Sequence, residues 1–205
     1  MRLRSKLMSK HLTLFAAAFF GLLPATVTAN NLVSNPGFET GDFSGWTLSG
    51  THAGTDDNGI YYGVDGLDAH TGQYGAYFGP VGGILELSQT FSTVPGVAYT
   101  VNFWLAHSPE TPFPYLNSFA ASFGGTSLIS ETNFPESSFG GYFFSGLATS
   151  TSPNLVFAFR DDASFFSLDD VSVTSSSVPE PASVLLVVLA TIALFLGRQR
   201  LLPKR

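Results

Sequence analysis

The central part of this sequence predicts an all-β fold, a two-sheet antiparallel β-sandwich, and three observations carry that prediction. Between Asn30 and Ser177 no segment sustains a 3.6-residue apolar period. Short runs in that stretch alternate apolar with polar residues, the pattern of strands buried on one face. Turn-forming glycine, serine and proline residues separate the runs at the short spacing typical of sandwiches and barrels.

The elements follow in order. Residues 1–29 read as a secretory signal peptide. A basic start (Arg2, Arg4, Lys6, Lys10) precedes an apolar run from Leu12 to Leu23, and small residues lead to a cut between Ala29 and Asn30. The apolar run is too short to span a bilayer comfortably. The sandwich domain is expected over 30–174. Within it Leu85, Leu87, Gln89 and Phe91 share one strand face. After a Pro95-Gly96 turn, Val97, Tyr99, Val101, Phe103 and Leu105 share another, with Asn102 and Trp104 opposite. Leu155, Phe157 and Phe159 repeat the alternation, with Ala158 and Arg160 on the other side. Trp46 belongs to the core. A linker is expected over 175–181 and a short hydrophobic transmembrane helix over 182–197, followed by a basic cytoplasmic tail over 198–205. The sixteen uncharged residues from Ala182 to Gly197 would cover roughly 24 Å as a helix, a little under the hydrocarbon thickness. Flanking arginines can snorkel to the interface, and positive charge at this end places it in the cytoplasm.

Charge is segregated along the chain. Arg160 is the one Lys or Arg between Asn30 and Ser177, against fourteen carboxylates, so this segment carries 1 − 14 = −13. Without lysine there is no footprint for a phosphate backbone, which excludes nucleic-acid binding. The chain has no cysteine, so there is neither a disulfide framework nor a thiolate zinc site. His52, His70 and His107 lack metal-ligand spacing, and no Gly-x-Ser-x-Gly elbow occurs. No catalytic residue is assigned, and the chain is read as non-enzymatic.

Val178-Pro179-Glu180-Pro181-Ala182-Ser183, then the hydrophobic run, then Arg198-Gln199-Arg200, resembles the PEP-CTERM sorting signal of Gram-negative bacteria. The two prolines keep Glu180 extended and outside any helix, as a protease requires. The resemblance implies an exosortase as processing partner, with Pro179, Glu180 and Pro181 as the sorting motif. It also implies an inner-membrane intermediate, and a final place at the cell surface or in an exopolysaccharide or biofilm matrix. The Arg-Gln-Arg cluster departs from an unbroken arginine run. Asn35-Pro36-Gly37-Phe38-Glu39 with Gly45-Trp46 at the start, Ala69-His70-Thr71-Gly72 in the middle, and Leu168-Asp169-Asp170-Val171 at the end resemble galactose-binding-like jelly rolls. Carbohydrate-binding modules of that superfamily carry the same bookends, which implies non-catalytic binding of extracellular polysaccharide. The alternatives are a structural matrix protein acting through acidity and self-association, and a secreted hydrolase.

Three candidate sites follow. Stepping by two from Val173 and Val171 puts Asp169 on their face, whereas stepping from Phe166 and Leu168 puts Asp170 inside. Either a bulge breaks the alternation or one carboxylate points inward. Calcium takes oxygen ligands of this kind. In the resembling modules a structural calcium joins the bookends, which implies Glu39 with Asp169 or Asp170 and makes calcium the one cofactor expected. A second acidic turn, Asp56-Asp57-Asn58-Gly59, is ordinary turn chemistry. Trp104 offers an aromatic face to a sugar ring, with the Asn102 amide beside it for hydroxyls; the other reading is a covered sheet face. Arg160 is either a ligand donor or an ion-pair partner of Asp161 or Asp162.

Overall fold

The computed structural model describes residues 30–51, 61–108, 116–162, 164–176 and 189–191. The segments expected as signal peptide, Pro179-Glu180-Pro181 sorting motif, basic tail and acidic turn at Asp56–Gly59 lie outside the described residues. Residues 189–191 are helical and exposed, and among the described residues no helix is long and apolar enough to cross a membrane.

Among the described residues, ten strands form two antiparallel five-stranded sheets. In chain order they are β1 (Thr47–Gly50), β2 (Tyr62–Asp65), β3 (Gly75–Phe78), β4 (Leu85–Thr90), β5 (Ala98–His107), β6 (Asn117–Phe123), β7 (Thr126–Thr132), β8 (Ser137–Leu147), β9 (Asn154–Asp161) and β10 (Phe166–Ser175). One sheet runs β1-β4-β9-β6-β7 and the other β2-β3-β10-β5-β8. The expected sandwich is what the chain forms.

The alternation read from the sequence matches the observed faces. Leu85, Leu87, Gln89 and Phe91 are buried, as are Tyr99, Val101, Phe103 and Leu105, and Leu155, Phe157 and Phe159. At the turn before β5, the Val97 N–H donates to Val94 O at 3.1 Å and Gly96 has φ 82°. Proline second and a left-handed glycine third make this a type II turn. Phenylalanine dominates the space between the sheets. Phe78 of β3 stacks on Phe159 of β9 at 4.1 Å with 4° between the planes. Phe119 of β6 meets the rings of Phe103, Phe134, Phe157, Phe159 and Phe166. Trp46 is buried as expected, stacked on Phe38, and its indole N–H donates to Asn35 O at 3.1 Å.

One polar tie crosses the core. His107 of β5 and Asp161 of β9, both buried, meet at 2.9 Å, and the Asp161 carboxylate also accepts the Ser164 N–H. β10 runs one residue into the segment expected as linker. Ser175 pairs with Tyr99 and the Ser176 N–H donates to Ala98 O, because β5 begins early enough to offer those partners.

Candidate functional site

The two bookend motifs meet across the whole length of the domain. Asn31 bridges Thr174, the Leu32 N–H donates to Val173 O, and the Val171 N–H donates to Pro36 O at 2.9 Å. Asn35 and Phe38 adopt positive φ, which folds the 35–39 turn back against the end of β10.

The conflict of phase at Asp169-Asp170 is resolved by a bulge. Pairing of β10 with β5 passes from Asp169↔Trp104 to Ser172↔Asn102, one extra residue on β10, and Asp170 has φ 49°. Phe166 and Leu168 before the bulge and Val171 and Val173 after it all enter the core. Asp169 lies opposite Trp104, on the outer face of the sheet, yet is fully buried because the 68–74 loop closes over it.

That loop is held by three carboxylates. Asp169 Oδ2 accepts the N–H groups of His70 at 2.7 Å and Thr71 at 3.0 Å, and its Oδ1 accepts the Asp170 N–H at 2.7 Å. Asp170 takes the Thr71 hydroxyl at 2.7 Å and lies 2.6 Å from His70 Nδ1. Glu39 accepts the N–H groups of Gln73 and Tyr74. Gly72 sits at φ +74°, and a Cβ there would collide with the Glu39 carboxylate, so the loop can hug it only as glycine. Burial pushes the Asp169 carboxyl above its ordinary value, with the three N–H donors pulling the other way.

Glu39, Asp169 and Asp170 thus converge on one loop. A Cβ at Gly37 would lie 3.3 Å from Asp169 Oδ1 and 3.8 Å from Asp170 Oδ1. They offer the oxygens calcium takes. Their oxygens, however, face N–H and O–H donors, and among the described residues no group of three His, Cys, Asp or Glu is spaced to hold a metal ion. Hydrogen bonds close this clasp.

The expected ligand residues do not form one site. Trp104 and Asn102 lie on the outer face of the β2-β3-β10-β5-β8 sheet, whereas Arg160 is on β9, on the outer face of the opposite sheet. Arg160 is held by Asp162, Nε to Oδ1 at 3.0 Å and a terminal nitrogen to Oδ2 at 2.7 Å. The bidentate bond raises the Arg160 pKa and lowers that of Asp162. The ion-pair reading therefore holds, with Asp162 as the partner.

Trp104 is not an open platform on both sides. The His70 imidazole stacks on it at 3.9 Å with 15° between the planes, and Phe139 tilts against His70 at 5.2 Å. Trp104 supports the loop that the clasp holds.

The sequence reading missed the neighbouring aromatic. Phe143 of β8 pairs with Asn102 and shares its outer face, and it is 67% exposed. Its ring covers Gly141, where a Cβ would lie 2.9 Å from Phe143 Cε2. Asn102 Oδ1 beside it is buried without a hydrogen-bond partner. The available signal was the alternation of Phe143 away from Tyr142 and Phe144, which pack on the core. Pairing with Asn102 could not be read without the strand order.

No family model matches the chain, and no curated protein is similar to it. Solved structures are similar in fold. A family 61 carbohydrate-binding module in complex with β-1,4-galactotriose superposes with a TM-score of 0.55 at 22% identity, covering 72% of this chain and 100% of that one. The enzymatically active domain of bacteriophage CBA120 tailspike protein 4 gives 0.52 at 18% identity, covering 71% and 21%. The K1 cleaved adhesin domain of Lys-gingipain from Porphyromonas gingivalis gives 0.51 at 14%, covering 69% and 96%. The described residues between 30 and 176 thus form a jelly-roll sandwich similar in fold to that family 61 carbohydrate-binding module.

Proposed function

We propose that this protein is an exported, non-catalytic carbohydrate-binding protein, and that its ligand is a neutral glycan held on the outer face of the β2-β3-β10-β5-β8 sheet. The observation that carries this reading is the pair formed by Phe143 and Asn102: an exposed aromatic ring beside a buried carbonyl oxygen with no donor. Leaving a buried acceptor unpaired costs about 1–3 kcal/mol, which favours rotation of the Asn102 amide toward a sugar hydroxyl at the surface. The ring supplies a flat apolar surface for the C–H face of a sugar. Neutrality follows from charge. With the body at −13 and its one arginine bound to Asp162 on the other sheet, no lysine or arginine on this face can pair with a uronate or sulfate.

Glycan-array screening followed by titration calorimetry tests this. Phe143→Ala is expected to weaken binding at least ~30-fold, as loss of a central aromatic does. Its melting temperature should stay unchanged, since the side chain is largely exposed. Asn102→Ala is expected to weaken binding about 3–10-fold. Wild-type affinity in both variants, or selective capture of acidic polymers, would refute the assignment.

The finer part of the proposal is the itinerary. The Pro179-Glu180-Pro181 motif, the hydrophobic run and the basic tail support processing by an exosortase from an inner-membrane intermediate, with release to the surface or exopolysaccharide matrix. Mass spectrometry of protein from the native host should find an N-terminus at Asn30 and a C-terminus near Pro179–Pro181. An intact 205-residue chain in an exosortase-positive cell would defeat it.

A further inference from the structure

We propose that β8 is a self-association edge, along which a second copy of this chain adds its own β8 antiparallel to form a two-fold dimer. The sandwich has four edge strands, and three are blunted. β1 and β2 are four residues long, and Asp65 ends β2; β7 carries Glu131 and a register break against β6. β8 differs in length and charge, although it too carries a bulge, against β5 between Ser137 and Gly140. It spans eleven residues, Ser137 to Leu147, without a charge or a proline, and exposes Phe143 (67%) and Leu147 (65%). Among the described residues it pairs only with β5, so the backbone groups along its other side are left for another strand.

The occupant follows from charge and register. Two bodies at −13 repel, and β8 is the long edge along which no carboxylate meets a carboxylate. Antiparallel pairing about Tyr142, the midpoint of the strand, overlaps all eleven residues. It sets Phe144 across from Gly140 of the other copy, where an added Cβ would meet nothing nearer than Tyr142 at 3.9 Å. Directly opposed residues share a face, so the Asn102–Phe143 faces of both copies lie on one continuous ten-stranded sheet. Such a dimer presents two sites to one polysaccharide and gains avidity from it.

The full chain tests this, because it has no cysteine of its own. Ser138 and Gly146 oppose each other in this register; Ser138 is exposed and a Cβ at Gly146 meets nothing within 4 Å. In one strand these positions are about 26 Å apart, far beyond disulfide reach. The Ser138→Cys/Gly146→Cys double variant is therefore expected to form a covalent dimer on mild oxidation, and neither single variant should. Sedimentation of the unsubstituted chain should show a dimer favoured by concentration and by salt, since salt screens the repulsion. Ser145→Lys should be monomeric yet retain glycan binding, which keeps this test separate from that of the binding face. A chain monomeric throughout, a crosslink formed equally by a single variant, or a dimer indifferent to Ser145→Lys would each overturn the proposal.

Discussion

Asp169→Ala is expected to destabilise the domain by about 3 kcal/mol or more, a fall in melting temperature of roughly 6–12 °C. The carboxylate is fully buried and accepts three backbone N–H groups, from His70, Thr71 and Asp170. Alanine strands all three and releases the loop from the bulge. The imidazole stacked on Trp104 then loses its support, so indole fluorescence should change together with the melt. Asp169→Asn keeps the shape but sets an amide N–H₂ against donors, and is expected to be nearly as damaging. A melting temperature within 2 °C of wild type for Asp169→Ala would show that the clasp does not hold the loop.

The pH dependence of this group has a definite sign. Burial raises the Asp169 pKa above its ordinary value. The folded chain therefore binds that proton more readily than the unfolded one, and this carboxyl favours folding most at pH below its unfolded pKa. The contribution is lost as pH rises through the folded value. Asp162 behaves oppositely: Arg160 holds its pKa down, so its contribution is present above the unfolded value and lost as pH falls through the folded one. Calcium, which the resemblance implies at Glu39, Asp169 and Asp170, is tested on the same melts. Because these oxygens already accept N–H and O–H groups, a chelator is expected to leave the wild-type melting temperature unmoved; a fall that Asp169→Ala abolishes would restore calcium to the account.

Phe119→Ala is expected to destabilise by about 3–5 kcal/mol, the usual cost of emptying a large aromatic site. Phe119 is fully buried and touches five other rings drawn from both sheets and the Phe134 segment. Rings cannot flow into the space left, because each is fixed by its strand, so the cavity persists. Such a loss is a large share of the ~5–15 kcal/mol that holds a typical domain together. Urea unfolding is the direct measurement, and Phe119→Leu should lose less than half as much. A loss under 1 kcal/mol for alanine would mean that the core repacks around position 119.

Several elements were legible along the chain because their cause is local. The period of two assigns core and outer faces within β4, β5 and β9, since a pleat alternates whatever its neighbours are. Pro95-Gly96 names its own turn because the dihedrals are set by those two residues. The break at Asp169-Asp170 was visible as a clash of two phases, but the choice between a bulge and an inward carboxylate was not. It was decided by the 68–74 loop, about a hundred residues earlier, whose N–H groups meet Asp169 there.

Charge segregation, strand faces and the all-β fold were thus determined by the sequence alone, because each depends on composition or on neighbours one to three residues away. Strand order was decided only in three dimensions. It put Arg160 on the sheet opposite Trp104, turned Trp104 into a prop for His70, set Phe143 beside Asn102, and left β8 at an edge. The physical reason is that which strands pair depends on contacts far apart along the chain, and a period-two pattern is the same whichever neighbour a strand acquires.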